Sequence, residues 1–227
     1  MAVSAIALGA DVAAIEGGTL ALGPEGKRIR SEVLEAVRHL RARGAIAAGS
    51  AANFSALLPD APGHVLITSR GLPADLSEED FGVVTLDGEF VSGRLGGGIR
   101  SVIAMHTHAY SRPGVTAAIH THSPHATAFA VAHKPIPPYY EPLLTRGQTV
   151  EIPVTTYGGR NSGELVNRID GLLAEHPETR AILLANHGLL VFHETPKKAA
   201  ELTAIIDEAA ALFIRAAAIG GAQPIAR

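Results

Sequence analysis

The chain has 227 residues, a formal net charge of −3 and no cysteine. These values exclude a disulfide framework or a thiolate metal site, and no basic surplus exists for a nucleic-acid or anionic-membrane surface. A small molecule is the expected partner, the length suits one domain with a large core, and a cytoplasmic setting is expected.

Residues 1–22 are apolar and alanine-rich but lack a basic start and are interrupted by Asp11 and Glu16. We read residues 1–24 as an N-terminal extension, neither signal peptide nor membrane span, and place the domain at 25–227. Residues 26–43 have helical spacing, with Val33, Leu34, Val37 and Leu40 on one side and Gly44 placed to close the end. The short apolar runs 45–48, 64–68 and 81–86 predict strands, and Asp87-Gly88 predicts a hairpin into residues 89–91. Residues 101–110 predict a helix with His106 on one face, and a strand follows from Val115 into His120. Ser123-Pro124 opens a helix to residue 133, and another spans 164–173. Strands 181–184 and 189–192 flank Asn186-His187-Gly188, and a long helix begins at the cap-and-proline pair Thr195-Pro196 and runs to about residue 219. The hairpin argues for a mixed or antiparallel sheet, so the expected class is α/β of the α+β type.

Six of the eleven histidines fall between His106 and His133. His120 and His122 stand two apart at the end of a strand-like run, so both imidazoles emerge on one face. With His187 they supply three neutral nitrogen donors, the number that a catalytic divalent site uses while keeping one position open. The glycines at 96–98 lack the strand-to-helix context of a nucleotide loop and read as a flexible turn. His39, His64, His125, His133, His176 and His193 are assigned to surface or structure.

Five motifs stand in one order: Gly49-Ser50-Ala51-Ala52-Asn53-Phe54-Ser55, Ile67-Thr68-Ser69-Arg70-Gly71, His106 with Tyr110-Ser111-Arg112-Pro113, Ala118-Ile119-His120-Thr121-His122-Ser123, and Asn186-His187-Gly188-Leu189. Together they resemble the class II aldolase/adducin family over about residues 28–218. That resemblance implies a single domain with a central mixed, mostly antiparallel sheet covered by helices, assembled as a homotetramer with sites between subunits. It implies that His120, His122 and His187 bind a divalent ion, usually zinc, with manganese, cobalt or iron in some members. The ion would serve as the electron sink for an enolate-type intermediate.

Departures from the family pattern bear on substrate. Family aldolases and epimerases carry an acid four positions before the histidine matched by His106, and this chain has Val102 there. The small residues of the family's phosphate cradle correspond here to Asn53, Ser55, Thr68, Arg70, Gly71, Arg100 and Ser101, so two positions have become arginine. A guanidinium fork suits a planar carboxylate. Decarboxylation starts by breaking a bond rather than by removing a proton, so it tolerates Val102 better than aldol cleavage does. The expected function is a metal-dependent carbon–carbon lyase that decarboxylates a hydroxy- or oxo-carboxylate, with His106, Tyr140 or Glu141 as later proton donor. His108 is a further supporting or acid/base candidate. A divergent aldolase with a relocated acid is the alternative, and a non-catalytic adducin-like binding protein, which typically loses the metal histidines, is another.

Overall fold

The computed structural model describes residues 15–71, 76–100, 102–159 and 163–226. In chain order they form β1 (Ile15–Gly17), α1 (Pro24–Ala42), β2 (Ala52–Leu57), β3 (His64–Thr68), β4 (Phe81–Thr85), β5 (Phe90–Leu95), α2 (Gly97–Arg100), α3 (Ile103–Ala109), β6 (Ala117–Thr121), α4 (Pro124–Val131), α5 (Glu141–Thr145), α6 (Gly163–Glu175), β7 (Ala181–Leu184), β8 (Gly188–His193) and α7 (Pro196–Ala216). The eight strands make one sheet in the order β1-β5-β4-β3-β2-β6-β8-β7. Every paired strand is antiparallel, and the parallel contribution among the described residues is an isolated bridge between Val154 and Leu183. The expected class therefore holds.

Side-chain alternation divides the core between two faces. On one, Phe54, Leu66, Val83 and Ile119 pack under α1 and α7, and Leu183, Leu189 and Val191 pack under α4, α5 and α7. On the other, Val65, Ile67, Ala118, Leu190 and Phe192 meet α3 and α6 through Ile103, Met105, Leu165 and Ile169. The helix ends follow local chemistry. Thr195 Oγ1 accepts from the Lys198 amide at 3.1 Å, the expected cap of α7. Ser123 stands at the start of α4 as expected, but its hydroxyl pairs with Thr121 at 2.7 Å. The open amides of α4 go instead to the Asp207 carboxylate, which accepts from His125 N at 2.8 Å and Ala126 N at 2.9 Å.

Two expectations change, and one unassigned segment becomes a strand. Residues 45–48 form no strand: Gly44, at φ 73°, turns the chain, Ala45 N donates to Leu40 O at 3.0 Å, and Ala45 and Ile46 enter the core beside α1. Their apolarity reports burial, not a ladder. The segment 52–57, given no element from the sequence, is the central strand β2, with Ala52, Phe54 and Ala56 on the face under α1 and Asn53 and Ser55 on the opposite face. Residues 15–24, expected to lie outside the domain, join it. Ile15 pairs with Leu95, Leu20 and Leu22 pack on the core, and Ser92 Oγ donates to Leu20 O at 2.9 Å. No helix among the described residues is long and apolar enough to cross a membrane.

Candidate metal centre and its surroundings

The sheet register assembles the site from residues distant in sequence. Ala52 pairs with Thr121, and Thr121 with Leu189, so the start of β2, the end of β6 and the start of β8 share one end of the sheet. His120 is the penultimate residue of β6, His122 lies just past its end, and His187 occupies the turn between β7 and β8. Their ring centroids are 4.7–5.1 Å apart, and one nitrogen from each lies within 4.8 Å of the others.

His120 Nδ1 donates to Leu189 O at 3.0 Å, which leaves Nε2 as the lone pair facing the group. Burial, then the neighbouring imidazoles of His187 and His122, hold His120 well below the usual histidine range, so the ring is neutral, the form a metal would need. Gly188 is required by the same crowding. A Cβ there would stand 2.5 Å from Thr121 O, 2.9 Å from His122 Cδ2 and 3.2 Å from His120 Cε1. Asn186, at φ 57°, supplies the left-handed corner of the turn, and its amide donates to Ala130 O at 3.1 Å. Its side-chain oxygen is bonded to His133 Nε2, and His133, at φ 52°, closes α4. Three neutral imidazoles at this spacing fit a divalent ion.

The remaining expected residues divide. Asn53 and Ser55 lie on the same face as His120, and Asn53 is its direct cross-strand partner. His106 is fully buried, with Nδ1 2.7 Å from Ser55 Oγ and Nε2 bonded to Asn53 Oδ1. Burial lowers its pKa to about 3, so it is a neutral ring with both nitrogens engaged. The geometry makes it a support for Asn53 and Ser55 and not an acid in contact with substrate.

Thr68 Oγ1 accepts from Phe54 N at 3.2 Å, and Gly71 O accepts from Ala52 N at 2.7 Å, so both stitch the start of β2 to the loop after β3. Arg70 turns its bidentate edge to Asp80, with Nε and Nη2 each donating at 3.0 Å. Burial alone would raise the Asp80 carboxyl, but bonds from Arg70 and Ser77 hold it below the usual range. A substrate carboxylate therefore does not meet that edge of Arg70 unless Asp80 releases it. Arg100 closes α2, and Ser101 lies outside the described residues. Gly96, expected in a flexible turn, is a close-approach position, since a Cβ would come within 2.8 Å of Ser69 O.

Tyr140 is tied to α7, its hydroxyl donating to Glu208 at 2.7 Å, and that bond and partial burial raise its pKa. Glu141 opens α5 and is exposed. Within one chain neither joins the histidines through a hydrogen bond or ion pair among those described. His108 pairs at 2.6 Å with Asp170 of α6 on the surface.

Two residues given no role from sequence belong to this region. Tyr110 Oη lies 2.6 Å from Ser55 Oγ. The Ser69 hydroxyl is buried and has no hydrogen-bond partner among the described residues. Each stands within a quoted motif, but the partners that mark them come from other strands.

An antiparallel sheet between two helical layers, with three imidazoles converging where β6 ends and β8 begins, forms a scaffold able to hold a divalent ion. The family profile described as Class II Aldolase and Adducin N-terminal domain matches residues 31–214, and the chain belongs to that family. L-fuculose phosphate aldolase of Escherichia coli O6:H1 is 29% identical over 179 residues, covering 78% of this chain and 79% of the relative. The 3-oxo-tetronate 4-phosphate decarboxylase of the same strain is 30% identical over 207 residues, covering 87% and 89%. The solved structure of an L-fuculose 1-phosphate aldolase superposes with a TM-score of 0.76 over 88% of this chain and 91% of its own, at 23% identity, which speaks to fold. The chain, which keeps the three-histidine group, is an enzyme of the lyase class.

Proposed function

We propose that this enzyme decarboxylates a small hydroxy- or oxo-carboxylate. The observation that carries the reading is Val102. It is 4% exposed, packs with Ile99, Ile103 and Met105, and occupies the position where family aldolases hold their acid. The Val102 carbonyl accepts from His106 N at 3.3 Å, so the residue stands one helical turn ahead of the support for Asn53, and a carboxylate is absent where a proton would be moved in aldol chemistry.

His120, His122 and His187 would hold a divalent ion, zinc in this reading, which would supply Lewis acidity at a substrate oxygen. The protein's own part is orientation. Asn53 faces the same end of the sheet as a polar donor. In a 3-oxo acid the bond to the carboxylate carbon breaks, carbon dioxide departs, and the electron pair moves toward the 3-carbonyl until a proton replaces the lost carbon. We assign that proton delivery to Tyr140 or Glu141 of a neighbouring copy in a homotetramer, a reading supported by the exposure of Tyr139 and Val131 around that loop. A cytoplasmic location belongs to the same reading.

The test is a zinc-loaded protein offered 3-oxo and 2-hydroxy acids, with and without a terminal phosphate, and L-fuculose 1-phosphate. Release of carbon dioxide from an acid supports the assignment, and aldehyde release from the sugar phosphate alone overturns it. The second reading, aldol cleavage with a relocated acid, is favoured by the 29% identity to the fuculose phosphate aldolase and is the outcome that the sugar phosphate reports.

A further inference from the structure

Four polar side chains lie in single file beneath α3. Tyr110 Oη is 2.6 Å from Ser55 Oγ, Ser55 Oγ is 2.7 Å from His106 Nδ1, and His106 Nε2 is bonded to Asn53 Oδ1. At the far end, Ser55 Oγ is the one acceptor bonded to the Tyr110 hydroxyl among the described residues, and this fixes the direction of the whole file. The Tyr110 proton therefore goes to Ser55. Ser55 then donates to Nδ1 of His106, whose proton must sit on Nε2 and point at the Asn53 carbonyl oxygen. The file ends at the Asn53 amide nitrogen, which has no hydrogen bond to a described residue and lies across the β2·β6 ladder from His120.

We propose that Tyr110, Ser55 and His106 are positioning residues that impose one hydrogen-bond polarity, so that Asn53 presents N–H donors, and not its carbonyl, to an anionic oxygen bound beside the histidines. An amide free to flip would offer either end, and the carbonyl end would repel that oxygen. Burial makes the restraint effective. His106 is 0% exposed and Asn53 and Ser55 are nearly so, so no water competes to reorient the file. The neutral ring required by the file is the form that burial enforces on His106. This inference rests on the metal-lyase reading for the identity of the anion, but the polarity itself does not.

The test uses the intact zinc-loaded protein. Ring nitrogen-15 spectra, with the His106 signal assigned by its loss in His106→Gln, should show an unprotonated Nδ1 and a protonated Nε2. The opposite tautomer in the unmodified protein would overturn the proposal. Tyr110→Phe removes the anchor, and His106 should then sample both tautomers, while affinity for oxalate, a small chelating dianion used as probe, falls about fivefold, the equivalent of one net hydrogen bond. Ser55→Ala should act similarly and Ser55→Thr, which keeps the hydroxyl, should restore both readouts. An unchanged tautomer and unchanged oxalate affinity in Tyr110→Phe and Ser55→Ala would also overturn it. If the unmodified protein bound no zinc, the metal reading would fall and the tautomer measurement would still decide the polarity.

Discussion

The two faces of the sheet are built from the same strands and do opposite work. Along β2, Phe54 points under α1 and α7 into an apolar cluster, whereas Asn53 and Ser55 point under α3 into a buried polar file that leads to the three histidines. Along β6, Ile119 joins the first set and His120 the second. At these positions the first face is filled by shape. The other must satisfy each polar atom it buries, because an unpaired one costs about 1–3 kcal/mol. Neighbouring residues thus separate stability from chemistry, and the separation can be tested residue by residue.

The largest expected effect lies at the polar end. His187→Ala or His122→Ala should abolish bound metal and activity while circular dichroism stays native, because the turn and strand end that carry them are held by backbone bonds. Full metal occupancy in either variant would refute the assignment. Gly188→Ala should resemble them, since the new methyl would displace the His120 and His122 rings.

Next comes the apolar face. Phe54→Ala should lower stability by about 3–5 kcal/mol, a fully buried aromatic replaced by a cavity, without changing metal stoichiometry in the folded fraction. Asn53→Ala, one residue earlier, should do the reverse, with modest destabilisation in urea and a large loss of oxalate affinity. Equal effects of the pair on both readouts would erase the distinction between the faces.

Acid should attack the polar face first. His106 titrates near 6.5 in the unfolded chain and at about 3 when folded, so between these values the unfolded chain binds the extra proton. The contribution is complete above 6.5 and is lost as pH falls, at about 1.4 kcal/mol per unit for each such group. His120, lowered in the same direction, adds to the slope in metal-free protein. Urea denaturation at a series of pH values should show this, and His106→Gln should flatten it. The smallest effect is remote from both faces: Thr195→Ala, which removes the α7 cap, should cost about 1 kcal/mol by urea denaturation and leave metal and ligand binding untouched.

Much of this was legible in one dimension, and the exceptions share a cause. The helices near 26–43, 123–133 and 195–219 and the hairpin at Asp87-Gly88 were readable because spacing, caps and turn residues act locally. Strand β2 was not, because a run of small residues with Asn53 and Ser55 inside it looks like a loop until β3 and β6 are placed on either side. Residues 45–48 misled in the opposite sense, being apolar for burial and not for pairing.

The candidate site divides along the same line. By itself the sequence determined the candidate donors and their pairing, because period two puts the imidazoles of His120 and His122 on one side of a strand and Asn-His-Gly marks a tight turn. Only the tertiary structure decided that Arg70 is bound to Asp80, that Tyr140 is bound to Glu208, and that His106 supports Asn53 through a file ending at Tyr110. Each of those outcomes depends on a partner from another element, and a hydrogen bond between elements is fixed by register and packing, which no local pattern of residues encodes.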